Sequence, residues 1–118
     1  DDEGFYYIVD RTKDMYKSGG ENVYPAEIEL VLITHPSIRE ASVIGVASEQ
    51  WGEVGLALVL LEDGADLTLA DVEAYCADKL ARYKQPKQLV VVDDFPRNVT
   101  GKIEKNVLRE RYGASKSA

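Results

Sequence analysis

Apolar positions recur along this chain with two different periods, and the switches between them mark out its elements. Residues 5–9 are aromatic and β-branched, 10–13 are turn-like, and 15–17 return as a second strand, so the pattern predicts an N-terminal β-hairpin. Ser18, Gly19 and Gly20 then interrupt it. Pro25 suits a first helical turn, Glu27 and Glu29 suit the positive end of a helix, and Ile28, Val31 and Leu32 recur at helical spacing, which predicts a helix over 25–33. Pro36 closes that segment, because a residue before proline is pushed out of the helical region.

Two β-rich runs follow, 38–47 and 54–61, joined by a connection from Ser48 to Glu53 that is short enough for antiparallel neighbours. The second is apolar almost without interruption, which implies burial on both faces. Thr68 or nearby Asp66 can cap a helix over 69–81, whose Leu69, Val72, Cys76 and Leu80 line one face. Residues 88–93 predict a third main strand, 94–101 a loop, 104–112 a terminal helix, and 113–118 a frayed end. The expected fold is α+β: the N-terminal hairpin followed by a small mixed sheet of about three strands covered by helices. If the strands flanking the 69–81 helix are parallel, that helix is a right-handed crossover.

Composition narrows the function classes. A chain of 118 residues, 45% hydrophobic and 30% charged, fits one domain with a real core. No segment approaches the roughly 18 consecutive apolar residues of a membrane span. The start lacks the basic and apolar regions of a signal peptide, and a single cysteine, Cys76, builds neither a disulfide framework nor a cysteine-type metal site. Both features point to the cytoplasm. The formal charge of −7 opposes nonspecific attraction to nucleic acid or an anionic membrane. Cys76 reads as core, and lone His35, with no partner ligand, as structural. Glu27 and Glu29 read as helix-end charges rather than a catalytic pair.

Two loops combine glycine with lysine beyond what a core needs. In the first, 10–29, Gly19 and Gly20 open backbone angles closed to other residues and let a ligand approach the main chain. In the second, 96–103, Lys102 follows a glycine after an apolar strand, where its ammonium can meet a phosphate or a carboxylate as a point charge. A Walker phosphate loop is excluded: Pro96 stands where its first glycine belongs, and Ile103 replaces the magnesium-holding Ser or Thr.

Together these segments resemble the C-terminal domain of the adenylate-forming superfamily, which includes acyl-CoA ligases, luciferases and adenylation domains of peptide synthetases. The likeness is most specific in Asp10-Arg11-x-Lys13-Asp14 followed by Ser18-Gly19-Gly20-Glu21-Asn22-Val23-Tyr24-Pro25, and in Pro96-Arg97-x-x-Thr100-Gly101-Lys102. The wording is nearest to free-standing fatty-acid or aryl-acid CoA ligases. The resemblance implies that residues 1–12 are the end of an N-terminal body and its hinge approach, and that 13–118 form the catalytic lid. It implies a carboxylic acid, ATP and CoA as substrates, with Mg2+ held mainly by the body, which is itself the lid's partner. Lys102 matches the catalytic lysine of adenylation, Arg11 a ribose contact, and Lys13 the hinge position. Lys17, Gly19 and Gly20 match the thioester face and its pantetheine tunnel, while Trp51 and Tyr83 stand where an aromatic ring can stack on the CoA adenine. No metal ligand is assigned in this chain, and the lid alone should be inactive. The competing expectation is a non-catalytic mixed-sheet module that grips a phosphorylated ligand or a protein partner.

Overall fold

A computed structural model describes residues 15–113. β1 (Tyr16–Ser18) pairs antiparallel with β2 (Glu21–Val23), so Gly19 and Gly20, expected to break the pattern, are the turn of a hairpin. Both turn glycines have positive φ, 59° and 86°, as the tight two-residue hairpin turn requires. The expected partner strand at 5–9 lies outside the described residues. Next come α1 (Pro25–Leu32), β3 (Ile38–Ser48), β4 (Gly52–Leu61), α2 (Leu69–Cys76), a 3₁₀ turn (Arg82–Lys84), β5 (Gln88–Val91), and α3 (Lys105–Leu108). α3 widens into a π turn (Arg109–Gly113), so the predicted terminal helix exists but is not uniform.

All five strands form one mixed sheet centred on β4, larger than the three main strands expected beside a separate hairpin. β3 lies antiparallel along nearly the whole length of β4, from Ile38 with Leu61 to Ser48 with Gly52. β4 is also bridged antiparallel by β1 at Ser18 and Gly52, and parallel by β5 from Leu56 with Gln88 to Val59 with Val91. The 69–81 helix does join two parallel strands, although regular helix ends at Cys76. Leu80 keeps the apolar stripe, because its N–H still donates to the Cys76 carbonyl at 2.9 Å and its side chain is buried. Of the two cap candidates, Thr68 is the one used: its hydroxyl accepts from the Asp71 N–H while the Asp71 carboxylate accepts from the Thr68 N–H, a reciprocal capping box.

Val54 to Val59 are buried without exception, and their side chains alternate between two cores. Ala57 and Val59 join Tyr16, Val23, Ile28, Leu32, Val43, Val72 and Cys76 beneath α1 and α2. Val54, Leu56 and Leu58 join Ile44, Val46, Phe95 and Leu108 beneath the 95–108 segment. Cys76 is a fully buried core residue whose burial pushes its thiol up from the ordinary value. His35 is also structural: its Nδ1 accepts from the Ser37 N–H, and its ring meets Tyr75 edge-on at 4.7 Å.

The cross-strand pair Gly45 and Gly55 makes a floor for the Tyr16 ring. A Cβ on Gly45 would fall 2.7 Å from the Tyr16 ring, and one on Gly55 would fall 2.4 Å from its hydroxyl. That hydroxyl is buried without a hydrogen-bond partner among the described residues, and burial, helped by nearby Glu53, raises its pKa well above that of an ordinary tyrosine.

Three outcomes follow from this packing. Gly45→Ala and Gly55→Ala each destabilise by roughly 1–3 kcal/mol, since the ring must be displaced from a filled site. Tyr16→Phe removes an unpaired hydroxyl and changes stability by less than about 1 kcal/mol, in either direction. The third concerns pH. The folded chain keeps the Tyr16 phenol protonated where the unfolded chain has lost its proton, so this residue's contribution is intact below about pH 10 and is lost as pH rises further. Urea unfolding from neutral pH into the alkaline range measures all three; the alkaline loss due to Tyr16 is absent in Tyr16→Phe.

Candidate functional site

The chemistry-bearing residues collect on two loops attached to different parts of the sheet. At the hairpin end, the Gly19 N–H donates to the Trp51 carbonyl at 2.8 Å, and the Trp51 ring packs so near that a Cβ on Gly19 would lie 3.1 Å from its Cε3. Nothing lies within 4 Å of the Cβ position of Gly20, so this turn offers bare backbone on an open side. The Lys17 N–H donates to Glu53 Oε1 at 3.0 Å, which ties β1 to the start of β4 while the Lys17 side chain stays exposed. The structure thus brings Lys17, Gly19, Gly20 and Trp51 to one place, across more than thirty positions of sequence.

The basic run 82–87 lies beside them. Lys87 holds its ammonium 5.6 Å from the centre of the Trp51 ring while donating to the Arg82 carbonyl. Tyr83 sits in the 3₁₀ turn, which packs near β2, and its half-buried ring leans on the α1–α2 core. Lys84 is committed to an ion pair with Glu27 at 3.1 Å, and that hydrogen bond raises its pKa. Among the three basic residues of this run, then, Lys84 and Lys87 already serve the fold.

Lys102 stands on the second loop, exposed, between Phe95 and Ile103, which both pack in the other core. The loop is closed several times over. Arg97 and Ile103 form an antiparallel bridge, and the Glu104 N–H donates to the Pro96 carbonyl at 2.8 Å. Inside, Asn98 Oδ1 accepts from the Thr100 N–H at 2.9 Å, the Thr100 hydroxyl at 2.6 Å and the Lys102 N–H at 3.1 Å. Gly101 completes the turn with φ of 88°, a conformation that other residues reach only with strain. A loop so bonded presents its lysine from a fixed backbone.

Charged residues to which the sequence analysis gave no such role join this loop to the sheet. Arg97 Nη2 donates to both Glu40 oxygens, at 2.8 and 2.7 Å, and the Glu40 hydrogen bonds raise the guanidinium's pKa further. Glu29 is more than a helix-end charge: its Oε2 accepts from the Val43 N–H at 2.8 Å on the free edge of β3 and meets Lys105 Nζ at 2.6 Å. The predicted nucleotide and hinge residues Arg11 and Lys13 lie outside the described residues. Among the described residues, no three His, Cys, Asp or Glu side chains gather as a metal site needs. No helix among them is long and apolar enough to cross a membrane.

Comparison with known proteins agrees with this geometry. The AMP-binding enzyme C-terminal domain family matches residues 27–102. The chain is 51% identical over 115 residues to the long-chain-fatty-acid–CoA ligase FadD13 of Mycobacterium tuberculosis, covering 98% of this chain and 23% of that protein. It is 47% identical over 109 residues to the 2-succinylbenzoate–CoA ligase of Geobacillus kaustophilus, covering 92% of this chain and 22% of that one. Among solved structures, ATP-bound MatB from Rhodopseudomonas palustris superposes with a TM-score of 0.83 at 42% identity, over 89% of this chain and 21% of that one. The chain therefore spans less than a quarter of the length of these relatives. Fold, loops and family match agree, and the chain belongs to the AMP-binding enzyme C-terminal domain family.

Proposed function

We propose that residues 13–118 are the catalytic lid of an AMP-forming acid–CoA ligase, and that residues 1–12 are the approach from its N-terminal body. In the first half-reaction a carboxylate oxygen bonds to the α-phosphorus of ATP, and the bond to pyrophosphate breaks. In the second, the CoA thiolate bonds to the acyl carbonyl carbon and AMP leaves. The observation that carries this reading is Lys102 on its closed loop. Two anions must be brought together in the first step, and a cation fixed in place before reaction lowers that barrier without reorganising.

The two loops suit the two steps. Arg11 contacts the ribose and Lys13 is the hinge about which the lid turns, withdrawing Lys102 and presenting the hairpin. There Lys17 approaches the acyl adenylate, bare Gly19 and Gly20 line a tunnel for the thin pantetheine arm, and Trp51 and Tyr83 offer rings to the CoA adenine. Mg2+ and most triphosphate contacts are assigned to the body. The acid is of the fatty or aryl class, the acceptor is free CoA, and the compartment is the cytoplasm. Every relative quoted above is a whole enzyme, which disfavours a stand-alone binding module.

In the full-length ligase, Lys102→Ala lowers adenylation, read by ATP–pyrophosphate exchange, by roughly a hundredfold or more, while transfer from supplied acyl adenylate to CoA stays within about threefold. An equal fall in both half-reactions would remove Lys102 from its assigned role. The purified 118 residues alone make no measurable acyl-CoA from acid, ATP and CoA; substantial synthesis would show that the body is dispensable.

A further inference from the structure

Lys102 is useful only if its loop arrives in one geometry each time the lid closes, so whatever fixes the loop on the sheet bears on the rate of adenylation. Arg97 is built for this. Its Nη2 straddles both oxygens of Glu40 at 2.8 and 2.7 Å, and its Nη1 points at the carbonyl of Gly101, the residue immediately before Lys102, at 3.4 Å. Asp94 Oδ1 adds a longer contact to Nη2, at 3.5 Å. Glu40 in turn is fixed by the sheet. It is paired in register with Leu60, one residue after a bulge at Arg39 that re-aims the end of β3. The ion pair is two-thirds buried, with 32% of each side chain exposed, so water weakens it less than it would a pair on the open surface.

We propose that Glu40 and Arg97 are positioning residues for adenylation: a charge-assisted strut from β3 that holds the Gly101–Lys102 backbone where the lysine can reach the reacting phosphate. The inference rests on the role assigned to Lys102 above. A planar guanidinium performs two tasks at once, gripping the carboxylate with one nitrogen and the turn carbonyl with the other. A lysine at 97 can manage one but not both. The strut does not touch the hairpin turn where Gly19 meets Trp51, so its loss bears on one half-reaction only. Displacing a catalytic group by about 1 Å reduces rate by up to a hundredfold without changing how substrate binds.

The test uses the full-length ligase with Glu40→Gln, Arg97→Lys and Lys102→Ala measured side by side. Glu40→Gln and Arg97→Lys each lower kcat of ATP–pyrophosphate exchange by roughly ten- to a hundredfold, leave KM for ATP within about threefold, and spare transfer from supplied acyl adenylate. Their double variant is no worse than the weaker single, because both remove the same strut. In the 118-residue chain, hydrogen exchange at the Gly101 and Lys102 amides quickens in Glu40→Gln while the β3–β4 amides remain protected.

Several results would overturn the proposal. One is exchange activity within about twofold of the parent in Glu40→Gln while Lys102→Ala is crippled; this leaves the Lys102 role standing and removes only the strut. Another is a parallel fall of both half-reactions, which makes the pair merely structural. A third is a raised KM for ATP in Arg97→Lys with Glu40→Gln unaffected, which makes Arg97 a direct nucleotide contact. If instead Lys102→Ala is itself fully active in exchange, the functional reading fails first and the strut with it.

Discussion

Burial of β4 on both faces is the constraint on which the rest of the molecule depends. Six consecutive residues from Val54 to Val59 are removed from water, so no face of this strand is left for solvent and each must be covered by a separate layer. α1 and α2 cover one side, and the 95–108 segment covers the other. The backbone of the same strand accepts β3 on one edge and shares its other edge between β1 and β5. In this way one apolar run fixes the seats of both loops: the glycine turn by the bridge from Ser18 to Gly52, and the Lys102 loop by Phe95 and Ile103 in the second core.

Charge finishes what burial begins. β3 is an edge strand, and its unpaired N–H groups would otherwise be open to a foreign strand. Glu29 closes one of them at Val43 and then meets Lys105, so helix, sheet edge and terminal helix meet on one carboxylate. Glu40 and Arg97 make the neighbouring join. A chain with net charge −7 could be thought short of cations for phosphate chemistry. Its basic residues are instead divided between structure, as at Lys84, Arg97 and Lys105, and loops that face outward, as at Lys17 and Lys102.

Periodicity made most elements legible. The 3.6-residue stripe of Ile28 and Leu32, the stripe of Val72 and Cys76, and the unbroken run of β4 are local signals of burial, and each is seen in the structure. The glycine pair read as an interruption because glycine breaks a β pattern whether it ends a strand or reverses it, and only the positive φ angles make it the turn. Regular helix in α2 stops short of its apolar pattern because burial of Leu80 needs only its direction, and a loosened turn supplies that. In the candidate site, the glycines and lysines stood out in sequence because a core has no use for them there. Their supports did not. Arg97 is 57 residues from Glu40, and Lys84 is as far from Glu27, so nothing local marks either pair before the strands are registered.

Under the proposed function, a lid that serves two chemistries must be stiff where it reacts and mobile only where it turns. If the Lys102 loop were soft, part of the binding energy gained on closing would go into ordering it, at roughly 1–2 kcal/mol for each backbone residue fixed. In the proposed cycle that cost would recur at every turnover, since the lid would leave the first site before the second step. A loop ordered once, during folding, by Asn98, Gly101 and a strut to β3 avoids it. The glycine turn obeys the same logic from the other side: two adjacent residues in the left-handed region would be flexible in isolation, and the bond from Gly19 to Trp51, together with the ring packed over it, confines the first of them. Both loops are thus shaped before any ligand arrives, as the proposed cycle asks of them.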